Sequence, residues 1–340
     1  MDTPWDIAWG PDDFIWMTER RGRIYRVDPA NGQIIQVGQV DVIEVGESGL
    51  MGIAFHPDFD TQPFVYLANS FGARNAIRNR LVRMRFNGIS LGNPEILLDN
   101  IPGATFHNGS RLAVGRDRLL YMTTGDAGNP ALSQNLNSVA GKVLRLTLDG
   151  QPAPGNPFGT TIYSYGHRNA QGLVFHPETD GLYLTEHGPF DNDEVNRVEI
   201  GRNYGWPNVS GFCDDDVRGE GDFCDRHNVA EPVAAWTPTT APGGADFYNA
   251  NLISGWKGSL LFTTLKGSAL VRLTLSADGS RVVGEEFLFQ REFGRLRDVL
   301  VAPNGQIYLA TSNRDGRGRP AADDDRILRV EPELIVNDNG

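Results

Sequence analysis

Only two cysteines occur in the 340 residues, Cys213 and Cys224, both in the stretch GFCDDDVRGEGDFCD. So few exclude a disulfide-rich scaffold, and with only His227 nearby the spacing fits no zinc pattern. Two readings stay open for the pair: a disulfide closing a short loop, which suits an oxidising compartment, or two free thiols. No apolar run approaches the roughly 18 residues that a spanning helix needs, so membrane insertion is not expected. The first residues lack the charged start and apolar core of a secretion signal, so a soluble or already processed chain is expected. Positive charge is also short: 31 Lys and Arg against 43 Asp and Glu give a net charge of -12. A polyanion needs a basic face, so nucleic acid and anionic membranes are disfavoured as general partners. The apolar period of 3.6 residues is missing too, which excludes a helical solenoid.

What is present is turn chemistry, with 40 Gly and 20 Pro. Apolar strand, turn and second strand recur as IAWGPDDFIWMTE, IAFHPDFDTQPFVYLANS, LAVGRDRLLYMTTGD, LVFHPETDGLYLTEH and VLVAPNGQIYLATS, with a degenerate LISGWKGSLLFTT before the last. Each reads as a β-hairpin. An arginine flanked by apolar residues follows each hairpin, at Arg26, Arg83, Arg145, Arg197, Arg272 and Arg329. Six units of about four short strands predict an all-β, six-bladed β-propeller of antiparallel blades, one domain over 1–340. The N- and C-terminal strands are expected to close the ring by pairing. The six arginines read as surface residues of outer strands.

Four segments run straight into the first strand of a repeat: GESGLMGIAF, FHNGSRLAV, GHRNAQGLVF and GRLRDVLVA. In a propeller they converge on the channel mouth, bringing His107, His167, Arg168, Asn169, Gln171, Arg295 and Arg297 to one wall. Lys266 and Trp236, in the remaining long insert, are placed at the same mouth. Cations crowded on adjacent loop tips repel unless an anion or carboxylate relieves them, which points to an acidic small molecule. Asp191, Asp193 and Glu194 beside Gly188 and Pro189 offer carboxylate and backbone oxygen of the kind calcium prefers; a solvated acidic turn is the other reading.

HNGSRL, GHRNAQGL, EHGPFDNDEVN, NYGWPNV and GRLRDVLVAPNGQIYL, in this order, resemble the soluble glucose and aldose sugar dehydrogenases that depend on pyrroloquinoline quinone (PQQ), within the glucose/sorbosone dehydrogenase group. The resemblance runs from about residue 3 to 332. It implies PQQ over the channel mouth, held with Ca2+, and oxidation of an aldose at its anomeric carbon to the lactone, with electrons passed to an external acceptor. His107 would be the general base and Arg168 would stabilise the quinone oxygen. Asn169, Gln171, Lys266, Arg295, Arg297 and Trp236 would hold the cofactor. Gly188 and Pro189 would bind the active-site calcium, and Asp193, Glu194 and Tyr204 a structural one. The resemblance and the cysteine pair together imply a periplasmic or secreted protein; monomer and homodimer both stay open.

Two positions depart from the family pattern. Glu47 stands where the glucose enzymes carry Gln and Phe106 where they carry Asp; with Trp236 these lie near the sugar, so a broad aldose range is expected rather than strict glucose preference. The short stretch after TTGDAG implies a more open cleft or a lost oligomer contact. Two alternatives remain: a calcium-dependent lactonase or esterase, which leaves the cationic cluster without purpose, and a ligand-binding propeller without catalysis.

Overall fold

The turns set the strands. Gly10 and Phe14 close the first hairpin through a 2.7 Å backbone hydrogen bond, with Asp13 in the left-handed region at φ 61°. The turns at Gly115–Leu119 and Ala302–Gln306 repeat it, with Arg118 (φ 63°) and Gly305 (φ 88°) in the left-handed position. The computed structural model describes residues 1–214 and 219–337. Blade 1 holds β1 (Pro4–Trp9), β2 (Ile15–Glu19), β3 (Arg23–Val27) and β4 (Ile34–Gln39); blade 2 holds β5 (Leu50–Phe55), β6 (Phe64–Ala73), β7 (Ala76–Arg85) and β8 (Glu95–Pro102). Blade 3 is β9 (Gly109–Val114), β10 (Leu120–Thr124), β11 (Lys142–Leu146) and β12 (Ile162–Tyr165). Blade 4 is β13 (Ala170–Phe175), β14 (Leu182–Glu186), β15 (Asp193–Val198) and β16 (Ala234–Trp236). Blade 5 is β17 (Pro242–Tyr248), β18 (Ser259–Thr264), β19 (Ala269–Leu275) and β20 (Val282–Leu288). Blade 6 is β21 (Leu296–Val301), β22 (Ile307–Thr311) and β23 (Ile327–Val330). The six repeat arginines all fall on the third strand of a blade. Several tie neighbouring elements, as Arg83 does in pairing with both Glu95 and Asp149.

The second strand of each blade is apolar on both faces because each face packs on a different neighbour. In β2, Ile15 and Met17 join the core shared with blade 6 while Trp16 joins the core shared with blade 2. In β14, Leu182 and Leu184 face blade 3 and Tyr183 faces blade 5. The strand period of two divides the side chains between interfaces, so six cores fill six gaps between blades.

Closure differs from expectation. β1 stays in its own blade, paired with β2, and the sixth sheet has three strands among the described residues, with no N-terminal strand added to it. The reason is that the first hairpin already uses β1 as an innermost strand. The ends are joined instead by the core of Ile7, Met17, Leu300 and Tyr308, a 2.7 Å bond from Ile7 N to Asp298 Oδ2, one of 3.0 Å from Thr3 N to Asp325 Oδ2, and a single backbone bond from Asp325 N to Met1 O at 3.3 Å. Among the described residues three short helices lie outside the sheets: α1 (Ala131–Gln134), α2 (Glu220–His227) and α3 (Pro332–Asn337). Cys213 and Cys224 form a disulfide that fastens α2 to the loop before it. No described helix is long and apolar enough to cross a membrane.

Candidate active site

Each inner strand carries a register shift near its N-terminal end, where it has one residue more than the second strand facing it. A bulge re-aims its extra side chain. Trp5, Gln171 and Arg297 occupy such shifts in β1, β13 and β21, and all three line one cavity at the mouth together with Glu47, Asn108 and His187. Threonines of the second strands lock the bulges to the next blade. Thr123 donates to Ala170 O (3.1 Å) and Thr185 to Gly243 O (2.6 Å).

His107 sits in the left-handed region at φ 57°, on the loop entering β9. Its N–H donates to Glu47 Oε2 at 3.1 Å, and its carbonyl accepts from Ala127 N at 3.1 Å. A Cβ at position 125 would come within 1.9 Å of that carbonyl oxygen, so the turn beneath requires Gly125. The imidazole Nδ1 lies 2.7 Å from Asp126 Oδ1. Asp126 is fully buried; its Oδ1 also accepts from Gly128 N (2.8 Å) and its Oδ2 from Trp206 Nε1 (3.0 Å). A carboxylate accepts only, so in the neutral imidazole the proton lies on Nδ1 and the lone pair on Nε2. Phe106 packs edge-on against the imidazole, centroids 4.7 Å apart, and is 42% exposed.

The cationic residues gather as a linked set. Arg295 pairs with Asp315 at 2.8 Å and its Nη1 donates to Leu265 O at 3.2 Å, beside Lys266, whose Nζ donates to Thr239 Oγ1 at 2.6 Å. Arg297 Nη1 donates to Gln171 Oε1 (2.9 Å), Gln171 Nε2 to Asn169 Oδ1 (3.0 Å), and Arg168 Nη1 to His187 O (3.0 Å). Arg168 also lies over the Trp206 ring, its Cζ 5.2 Å from the centroid. Burial lowers the Arg297 guanidinium to about 10, with neighbouring Arg295 acting in the same sense against Asp315. Burial lowers Arg168 as well, against Asp126 and Glu186. Arg168 Nε, Asn169 Nδ2 and Arg297 Nε are buried with no partner among the described residues. Unsatisfied buried donors on three converging residues fit an acceptor-rich ligand.

Several expected residues are engaged elsewhere. His167 is not on the cationic wall: it is buried, within 2.9 Å of Ser164 Oγ and 3.0 Å of Glu186 Oε2, and stacked on Tyr204. Trp236 packs on Phe262 in the core between blades 4 and 5 and donates to Glu285, because it lies on an outer strand. The Tyr204 hydroxyl donates to Arg197 O (2.7 Å) and accepts from Glu199 N (2.8 Å), so it is committed. Asp193 accepts from Gly188 N on one oxygen and from Thr240 N and Ala241 N on the other, so both oxygens shape the surrounding turns.

Gly188 and Pro189 border a second cavity with Arg168, Glu186, Glu194 and Trp206. No hydrogen bond among the described residues ends on either carbonyl oxygen. Burial and the nearby Glu186 push Glu194 up to about 8. Glu194 still accepts from Gly211 N and Asn196 Nδ2. Among the described residues no group of three or more His, Cys, Asp or Glu side chains could hold a metal, so calcium here would rest largely on backbone oxygen. Glu47 is held below the usual carboxylate range: burial raises it, but His187, Arg317, the His107 N–H and Arg297 together outweigh that. Arg317 Nη1 lies 2.9 Å from Glu47 Oε1.

Asp126, Trp206, Glu186 and His187 were missed from the sequence. Asp126 follows the second strand of blade 3 and meets His107 only through the pairing of β9 with β10. The one signal was its place in TTGDAG, where an acid follows a strand beside two glycines. Glu186 receives the N–H groups of Arg168 and Asn169 and so sets the loop that carries them.

Comparison with known proteins agrees with this geometry. The family model for glucose/sorbosone dehydrogenase matches residues 1–329. The chain is 31% identical to quinoprotein glucose dehydrogenase B of Acinetobacter calcoaceticus, across 97% of this chain and 87% of that protein. The PQQ-bound aldose sugar dehydrogenase of Streptomyces coelicolor superposes with a TM-score of 0.85 at 37% identity, covering 97% of this chain and 94% of that one. A putative glucose dehydrogenase of Thermus thermophilus superposes at 0.86 with 40% identity, covering 97% and 96%. The chain therefore belongs to the glucose/sorbosone dehydrogenase family.

Proposed function

We propose that this protein is an oxidoreductase that converts aldose sugars to aldonolactones with PQQ and calcium, passing electrons to an external acceptor. The observation that carries the reading is the set of buried, unpartnered donors on Arg168, Asn169 and Arg297 beside the His107–Asp126 pair. When bound, PQQ would supply a two-electron acceptor for the hydride of the anomeric carbon and calcium a Lewis acid beside it. The chain supplies the rest. Asn169, Gln171, Lys266, Arg295 and Arg297 hold the acidic groups of the cofactor. Arg168 presents its guanidinium where negative charge develops. His107 takes the proton of the anomeric hydroxyl on Nε2, and Asp126 stabilises the imidazolium that results. Carbonyl oxygens of Gly188 and Pro189 hold the metal, and Glu194 stands beside it. Glu47 and Phe106 border the sugar. Glu47 is already bound to Arg317 and His107 N, which leaves an exposed aromatic as the main wall and fits a broad aldose range. The disulfide supports a periplasmic or secreted setting.

The test is to add calcium and PQQ to the apoprotein and follow dye reduction with several aldoses. Reduction that requires both additions is the expected result. Lactone or ester cleavage without quinone, and no dye reduction with it, would overturn the proposal.

A further inference from the structure

Beneath the cofactor-facing donors the channel is crossed by a buried guanidinium that the chemistry above does not use. Arg111 lies in the bulge of β9 and is buried. Its Nη1 pairs with Asp6 Oδ1 of β1 at 2.5 Å and donates to Asp298 Oδ2 of β21 at 3.0 Å, and its Nε donates to Gln171 O of β13 at 2.8 Å. Asp6 Oδ2 in turn accepts from Ile53 N of β5 at 2.9 Å. Inner strands of blades 1, 2, 3, 4 and 6 are thus joined through one cation.

Two cofactor-facing residues sit one bond from this cluster. Gln171 gives its carbonyl to Arg111 and its side-chain oxygen to Arg297. Arg297 immediately precedes Asp298, and both guanidinium groups lie over the Trp5 ring, Arg111 at 4.5 Å and Arg297 at 5.8 Å. Charge balance agrees with a role towards the cavity above. Burial, aided by the neighbouring Asp298, pushes Asp6 up to about 8 in spite of Arg111, so at neutral pH one of the two carboxyls keeps a proton. Arg111 and Asp298 then cancel, so the cluster adds no net charge beneath the cavity.

The geometry points to Arg111 as a positioning residue: through Gln171 and Arg297 it fixes the angle and charge with which the channel grips the acidic cofactor. This rests on the PQQ reading above. A lysine keeps the charge but lacks the planar fork that reaches acceptors on three strands.

The test titrates PQQ into calcium-loaded apoprotein by fluorescence, for wild type, Arg111→Lys, Arg297→Lys and the double variant, with thermal unfolding recorded for each. Arg111→Lys should raise the quinone Kd about 10-fold while the aldose KM of the loaded enzyme changes less than about twofold, and the same change on the Arg297→Lys background should cost less than about threefold. A purely structural role would lower Tm without that non-additivity. Unchanged Kd, or additive losses, overturns the inference. If Arg111→Lys does not fold, Asp298→Asn, which removes the charge that faces Arg111, takes its place, with a Kd about threefold or more higher expected and the same non-additivity required. Wild-type protein that fails to bind the quinone overturns the functional reading and this inference with it; wild-type binding that the variants share overturns this inference alone.

Discussion

Asp126→Asn isolates the electrostatic half of the proposed base. The carboxylate serves three donors with two oxygens: His107 Nδ1 and Gly128 N on one, Trp206 Nε1 on the other. Asparagine has one oxygen. Turning it to His107 satisfies two donors and leaves its amide facing the indole N–H, so the imidazole tautomer survives and the negative charge is lost. At an effective dielectric of about 20, a full charge pair about 4 Å apart is worth about 4 kcal/mol. The neutral hydrogen bond that remains recovers about 1 kcal/mol. A barrier higher by about 3 kcal/mol lowers kcat by about 100-fold. The assay is steady-state dye reduction with saturating PQQ and calcium, alongside a quinone titration that separates lost turnover from altered cofactor affinity, since Asp126 also faces the Arg168 guanidinium. Turnover within about threefold of wild type would refute the claim that Asp126 supports His107 as a base.

Four further outcomes are expected. His107→Ala should leave quinone affinity nearly intact and cut kcat by about 100-fold or more; unaltered turnover removes the base assignment. Lys266→Ala should weaken quinone binding more than sugar binding, and equal quinone affinity by titration would contradict its place at the site. Asp6 holds a proton in the folded state, its carboxyl raised from 3.8 to about 8 mainly by burial. Its contribution is therefore complete below about pH 4 and declines as pH rises towards 8, so the Tm of Asp6→Asn should fall less than that of wild type between about pH 5 and 8, and parallel curves would refute this. Replacing Cys213 and Cys224 with Ser opens a cross-link of sequence separation 11 and should lower Tm by about 4 °C, from about 3 kcal/mol of loop entropy; an unchanged Tm would show that the unfolded chain gains nothing from release.

Much of the architecture was legible because a strand that packs on both faces must be apolar throughout, and a tight turn needs Gly, Asp or Asn. Runs such as IWMT, LYLT and IYLA therefore mark the second strands, and the six spaced arginines mark the third. The cationic entrance loops were legible for the same local reason, since each leads directly into an innermost strand. Trp236 was misplaced because nothing local distinguishes an outer strand that turns its ring into an interblade core from a loop at the mouth. The partners of the Asp193 carboxylate and the Tyr204 hydroxyl are not legible in sequence, because they are backbone groups that only the fold brings to them.

By itself, then, the sequence determined the repeat, the strands and the family, all of which depend on neighbours within a few residues. Tertiary structure decided the rest: that the ring closes by packing and not by strand exchange, that bulges swing Trp5, Gln171 and Arg297 into one cavity, and that Asp126 meets His107 while Arg111 meets Asp6 and Asp298. Arg111 and Asp298 are 187 positions apart along the chain. Burial then fixes which carboxyl keeps a proton and which cation stays unpaired, and burial is a property of the assembled blades.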